Sequence, residues 1–403
     1  MVCRHVSRII SVACLLFALS LRCQLPAAEL NDGVDRSDPN FVKASLLVVG
    51  PGNELFSGVG HAAFRMECPT FNHDYCYSYE GEQREHQLGR FFAGKLKMGM
   101  LAFKTEDLLQ DYRAEGRNVR QYALNLPPDV KLRLWKVFDD KLAQKMTRPY
   151  DYNERGCARA AFLVLREALA PLQFDEHVWP SKYEGTRREL TSVWLDNQPW
   201  SRFFLHAIWG TAVDKAELPK MDKVVIPLDL LEFLKTATLQ GKSLITDEGI
   251  ELVAGTPPSP STAISPMMVA VGMLLLTVMS VLCRRLGGLA KAVCQGWQGV
   301  MLILYALAGL FFAYLVLVSD LPATEWNWLL VPFNPLPLVL WPLRKYWALP
   351  IAGVLWVWVV FLLRASHRMT DPAYYVLALT YSVLFASFGS IESILNFKTY
   401  QKK

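Results

Sequence analysis

The stretch LLVVGPGNELFSGVGHAAFRM, residues 46–66, sets the reading of the N-terminal half of the chain. It continues an apolar run, Phe41 to Gly50, whose Val and Leu content predicts a strand ending at the Gly50-Pro51-Gly52 turn. A second strand is expected to open at His61, directly after Ser57-Gly58-Val59-Gly60, and to reach Cys68. Tyr75 to Glu80 reads as its hairpin partner, with the turn residues Pro69, Asn72 and Asp74 between them. Further out, Thr105 is placed to cap a helix through Arg113, and Asn118 to Leu126 is strand-like. Pro128 to Met146 is amphipathic, with Val130, Leu134, Val137, Phe138 and Leu142 on one side. Another helix is expected from Cys157 to Leu169, stopping before Pro171. The class is α+β.

The rest of the chain is organised by long apolar runs. Hydrophobic residues make up 52% of the 403, and the excess sits at the start and in the last third. Arg4, His5 and Arg8 precede the apolar stretch Ile9–Leu21 and the small residues Ala27 and Ala28, the order of a secretory signal over residues 1–28. That apolar stretch is short for a membrane span. Arg22 before Cys23 fits a lipoprotein signal poorly, and an uncleaved anchor is the bland alternative. Residues 29–253 then form an exported domain, and 254–265 a Pro/Ser linker. Residues 266–396 are expected to make about five membrane spans, followed by a cytoplasmic tail at 397–403.

The spans are read at Met267–Cys283, Trp297–Val318, Leu349–Leu363 and Ala373–Leu395, with the proline-broken Trp328–Leu343 either crossing or re-entrant. With five crossings, Arg284, Arg285, Lys291, Arg344, Lys345, Lys398, Lys402 and Lys403 lie inside, and Arg364 and Arg368 outside. With four, the loop cations divide evenly, so the positive-inside rule favours five. The net charge of +5 is therefore topology-setting charge beside the spans, and no nucleic-acid partner is expected.

Three cysteines fall in the exported domain. Cys68 and Cys76 flank the expected hairpin and could pair across it in an oxidising compartment, leaving Cys157 over. A lone cysteine is commonly a small buried hydrophobe. Cys157, however, follows Gly156 at the start of an apolar helix, where terminal N–H groups and the positive dipole end favour a thiolate. His61 is the candidate base, although His73, His86, His177 and His206 are also present. No cofactor and no metal is called for.

The residues also carry a resemblance. The stretch at 46–66 is similar to the start of the periplasmic domain of the Lnb-type family, named for a bacterial lipoprotein N-acyltransferase, through Ser57, Gly60, His61 and Arg65. YRAEGRNVRQYALNL resembles its Tyr/Arg block at Tyr112, Arg117 and Gln121. RPYDYNERGCARAAF resembles its cysteine motif at Tyr150, Tyr152 and Cys157. NQPWSRFFLHAIWGTAVDK is similar to its Pro-Trp and Gly…Asp block, at Pro199, Trp200, Gly210 and Asp214. In the membrane part, NWLLVPFNPLPLVL resembles its Asn-Pro-Leu segment at Asn334, Pro335 and Leu336. The chain departs from the family pattern in having Gly156 rather than Asn before the cysteine, and Ala158-Arg159 after it.

The resemblance implies a permuted papain-like thiol fold in the bacterial inner membrane, with the domain in the periplasm. It implies Cys157 as nucleophile, His61 as base, a membrane lipid as acyl donor and a lipoprotein as acceptor. Ser78, on the next strand, is the candidate third polar residue to orient His61. Two other classes stay open: a membrane-anchored cysteine peptidase or amidase using the same pair, and a non-catalytic exported binding module.

Overall fold

The computed structural model describes residues 33–53, 57–82, 87–145, 148–151, 153, 156–175, 179, 181–256, 264–283, 287–365 and 370–389. The signal at 1–28, Tyr152, most of the Pro/Ser linker and the tail at 397–403 lie outside the described residues.

The N-terminal domain is built on β1 (Lys43–Val49), β2 (His61–Cys68) and β3 (His73–Gly81). Then come α1 (Gln87–Phe92), β4 (Lys97–Lys104), α2 (Thr105–Ala114) and β5 (Val119–Ala123). The helix α3 (Pro128–Ala143), the short β6 (Arg148–Pro149) and α4 (Cys157–Ala168) follow. After β7 (Gln173–Phe174) the chain forms α5 (Arg187–Trp194), α6 (Pro199–Ile208) and α7 (Pro227–Thr236). It closes with β8 (Ala237–Leu239), β9 (Lys242–Ser243) and β10 (Ile250–Val253). Seven strands form one antiparallel sheet in the order β10-β5-β1-β2-β3-β4-β6.

Both faces of this sheet are covered, which is why β1 reads as a continuous apolar run rather than an alternating one. Leu46, Val48, Ala62, Phe64 and Met66 pack with Leu134 and Phe138 of α3 and Phe162 and Leu165 of α4. Leu47, Val49 and Ala63 pack with Leu108, Leu109 and Tyr112 of α2 on the other face. The same alternation separates the two hairpin cysteines. Cys68 belongs to the first face and Cys76 to the second, and their strand partners are His73 and Arg65. Of the two states open to Cys68 and Cys76, bonded or spare, the structure has the second: both are free buried thiols, and the Cys76 sulfur lies 3.3 Å from Thr105 Oγ1. Thr105 is likewise inside its helix rather than a side-chain cap, since its hydroxyl donates to Asp74 Oδ1 at 2.6 Å.

The C-terminal region is helical: α8 (Pro266–Leu282), α9 (Gly288–Leu317), α10 (Arg344–Ala365) and α11 (Ala373–Ala386). Among the described residues α9 alone is long and apolar enough by itself to cross a membrane, and the other three carry shorter apolar segments. Trp328–Leu343 is a chain of single turns at Trp328–Leu330, Leu336–Val339 and Trp341–Leu343. Its prolines remove the N–H groups that a continuous helix would need. Gly309 of α9 accepts this segment closely, because a Cβ there would stand 2.7 Å from the Phe333 carbonyl oxygen.

The two regions meet along a seam made largely by backbone. Gly210 N donates to the Ala323 carbonyl at 2.6 Å and Thr211 N to the Glu325 carbonyl at 2.9 Å. Asn327 Nδ2 donates to the Ala207 carbonyl at 2.7 Å, and Tyr374 stacks on Phe203 with ring centroids 4.2 Å apart. Glycines permit the approach. A Cβ on Gly210 would lie 1.9 Å from the Glu325 oxygen, and one on Gly94 would lie 2.4 Å from the Asp320 backbone.

Candidate active site

His61 is delivered by the loop between β1 and β2. Ser57 folds that loop, its carbonyl accepting from Gly52 N at 2.9 Å and Gly60 N at 3.0 Å. Gly60 has φ +86°, and a Cβ there would stand 2.5 Å from the Val49 carbonyl oxygen. No L side chain fits this position without moving the strand that carries His61. Arg117 secures the other end of the loop, donating from Nε to the Gly50 carbonyl at 2.9 Å while its guanidinium lies 5.0 Å over the Tyr112 ring. Gly60→Ala is thus expected to cost about 1–3 kcal/mol of stability. It should also slow labelling of Cys157 by a thiol reagent. Thermal unfolding and labelling rate read the two effects, and an unchanged melting temperature would contradict the argument.

Cys157 is the first residue of α4, after Gly156 in extended conformation. The helix docks its apolar side on the sheet through Ala161, Val164 and Ala168, which holds its N-terminus beside the start of β2. There the thiol is electrostatically coupled to His61 and lies beside the Ala62 backbone. On the ring's other side, His61 Nε2 is 2.5 Å from Ser78 Oγ and 3.0 Å from Glu80 Oε1. Ser78 itself donates to Glu80 at 2.8 Å. With Nε2 so engaged, Nδ1 is the ring nitrogen left for the sulfur.

The electrostatics favour the charged forms of both groups. Burial alone pushes the His61 pKa down, but the Glu80 charge, followed by Tyr112 and Cys157, overcomes it and holds the ring well above its ordinary value. Burial pushes the Cys157 thiol up, and the His61 charge and hydrogen bond with the Ala62 contact more than reverse it, so the thiol is lowered. Glu80 is also lowered, as its His61 and Ser78 contacts outweigh desolvation. Tyr112 moves the other way, pushed up to about 12 chiefly by burial, and so remains a neutral hydroxyl beside the pair.

A cavity of about 360 Å³ opens onto the sulfur, lined by His61, Glu80, Glu82, Gln87, Tyr150 and Cys157 among others. It is large enough for a reacting carbonyl group and its immediate substituents. Among the described residues no cluster of His, Cys, Asp and Glu could hold a metal ion.

The structure brings together His61, Cys157, Ser78, Tyr112 and Tyr150, with Ser57, Gly60 and Arg117 shaping the loop behind them. It does not bring two others there. Arg65 clamps the far part of the hairpin, reaching Asp74 at 2.8 and 2.7 Å and Gln121 at 2.8 Å. Asp214 pairs with the buried Arg188 at 2.7 Å. Both motif residues pair within the scaffold, away from the thiol. Tyr152 lies outside the described residues. His73 packs at a tilt against Trp135 and His206 bonds Ser192, so neither is the partner of Cys157. Sequence reading missed Glu80, although it lies two residues beyond Ser78 and so shares its face of β3.

The fold and this pairing define a class: a membrane protein whose extramembrane domain presents a thiol already paired with an imidazole. Residues 32–192 match the Lnb N-terminal periplasmic domain, and residues 258–388 match the Lnb transmembrane domain. Together the matches span most of the chain, in the order of the two regions described above, and the chain belongs to the Lnb-type family. It is a membrane protein with a periplasmic N-terminal domain. Comparison with curated proteins and with solved structures returned no match.

Proposed function

We propose that this protein is a thiol acyltransferase that N-acylates the N-terminal cysteine of bacterial lipoproteins, and that its domain is a permuted papain-like fold. The observation that carries the reading is the Cys157–His61 pair, backed by Glu80 and Ser78, in a domain joined to a membrane region. The Cys157 thiolate attacks an ester carbonyl of a membrane lipid, with helix-terminal N–H groups facing the oxyanion. Imidazolium His61 gives its proton to the departing lysolipid alkoxide, leaving a thioester. The acceptor amine then attacks that carbonyl and loses a proton to His61. An amide forms, the C–S bond breaks, and the thiolate and imidazolium are restored.

The test is mass spectrometry of endogenous lipoprotein N-termini with and without the gene. Loss of the amide-linked chain on deletion, restored by the wild-type gene, is the expected result. Fully acylated N-termini in the deletion strain count against the function.

The inner membrane is the proposed location, with five crossings and the tail in the cytoplasm. Support comes from the two ends of the bundle. Trp200 Nε1 donates to the Ile264 carbonyl just before α8, and Arg202 reaches Asp371 just before α11, so these helices begin beside the periplasmic domain. At the other end, a Cβ on Gly389 would meet Leu349 near the start of α10, and Trp341 packs on Phe388. The broken segment 328–343 is then the third crossing. A cysteine at Gln401 should resist impermeant thiol reagents in intact cells, whereas labelling there would favour four crossings.

A further inference from the structure

A second cavity, about 840 Å³, lies at the seam between the periplasmic domain and the membrane helices. It shares no lining residue with the cavity at Cys157. Its walls come from α5, from α6 through Arg202 and His206, and from the turn Thr370–Pro372 that opens α11.

Two buried polar atoms here lack partners. His206 is 5% exposed, and its Nε2 lies 2.8 Å from Ser192 Oγ. The Ser192 hydroxyl has one proton and directs it to the Arg188 carbonyl at 2.6 Å. Ser192 Oγ must therefore accept from His206, which makes Nε2 the protonated nitrogen and leaves Nδ1 with a bare lone pair. Nδ1 is buried without a hydrogen-bond partner among the described residues. Burial, then the charges of Arg188 and Arg202, hold this ring well below its ordinary pKa, so protonation does not relieve it. On the membrane-side wall Thr370 is 7% exposed, and its Oγ1 is also unpartnered among the described residues.

The remaining polar lining is rich in acceptors. Glu184 contributes an exposed carboxylate, whereas Glu189 and Asp371 already accept from the backbone N–H groups of Thr186 and Ala373 at 2.8 and 3.0 Å. The lining cation, Arg202, is already engaged by Asp196 at 2.7 Å and Asp371 at 3.2 Å. The bare His206 Nδ1 requires a donor and the Thr370 hydroxyl can accept one, so the fitting occupant brings O–H or N–H groups. Leu190, Val193 and Pro372 also line the space, which suits an occupant that is part apolar. The cavity sits where a membrane helix begins, which places it at the level of lipid headgroups.

We propose that this seam cavity binds the headgroup of a membrane lipid through the headgroup's own O–H or N–H donors, as a glycerol or ethanolamine headgroup would supply. The site is separate from Cys157 and does not depend on acyl transfer there.

The test uses full-length protein in nanodiscs of phosphatidylethanolamine, phosphatidylglycerol or phosphatidylcholine, with retained lipid counted by native mass spectrometry. Phosphatidylcholine has no headgroup O–H or N–H. The expected result is retention of one ethanolamine or glycerol lipid with about tenfold preference over the choline lipid. Thr370→Val, nearly isosteric, and His206→Phe should each remove most of that preference, while Thr370→Val leaves the melting temperature unchanged. If His206→Phe fails to fold, Thr370→Val alone decides. Equal retention of the choline lipid, or a preference that survives Thr370→Val, overturns the proposal. Free ethanolamine or glycerol that displaces the lipid at matched concentration overturns the lipid assignment in favour of a soluble ligand.

Discussion

If the protein is the proposed thiol acyltransferase, Cys157→Ala is expected to lower lipoprotein acylation by on the order of 10³-fold or more, because no covalent intermediate can form without the sulfur. His61→Ala costs nearly as much. In the proposed mechanism the imidazole favours the ionised thiol and carries the proton in both half-reactions, and no other described histidine reaches Cys157. The double variant is expected to lose little more than either single one. That non-additivity marks two groups acting as one unit, whereas two independent structural residues would add. A labelled phospholipid should leave hydroxylamine-sensitive label on Cys157 of the wild type and none on the alanine variant. Continued lipoprotein acylation by Cys157→Ala in cells would sink the thioester mechanism. Cleavage of envelope peptides by a wild type that ignores lipids would transfer the same two residues to a hydrolase.

Glu80→Gln should lower kcat/KM by on the order of 10²-fold, with a change in pH profile that identifies its cause. The productive state, thiolate beside imidazolium, exists between the lowered Cys157 pKa and the raised His61 pKa. Activity therefore falls on the acid side as the thiol is protonated, and on the alkaline side as His61 loses its proton. Glu80 supplies the largest of the charges raising His61, so its neutralisation brings the alkaline limb down in pH. The same carboxylate raises Cys157, so the acid limb also moves lower, by less. The whole profile slides toward acid. Ser78→Ala keeps the charge and should lower activity with little movement of either limb. An alkaline limb that stays in place in Glu80→Gln would remove Glu80 from the pair.

Much of this was legible in sequence because it rests on local chemistry. The strands at 43–49 and 61–68 and the helices from Pro128 and Cys157 follow from apolar runs, turn glycines and prolines, and they start and stop within a few residues of expectation. The thiol and the imidazole were found because each stands directly after a glycine at the start of its element. What escaped depends on register. Which of Ser78 and Glu80 meets His61 is settled only when β2 and β3 are paired, and both do. Cys68 and Cys76 looked like partners because they flank a turn, but an even sequence separation across a bent hairpin does not put two side chains on one face. Arg65 and Asp214 carry strong motif signals for another reason: each neutralises a partner within the fold. α6 was recognised as a motif, but its role in the seam depends on loops more than a hundred residues away.

The glycines of that seam have a mechanical consequence. Gly210 against Glu325 and Gly94 against Asp320 join main chain to main chain, with no side chain long enough to act as a flexible spacer. The periplasmic domain is therefore clamped at one altitude and one azimuth above the helices. A tethered domain could dip toward the leaflet to meet its substrate, but a clamped one cannot. Under the proposed acyl transfer, the reacting carbonyl would have to be hoisted out of the bilayer to a set height, leaving its hydrocarbon to follow. Reach is then a property of the lipid, and the distance between carbonyl and headgroup becomes a ruler by which one lipid is taken and another passed over.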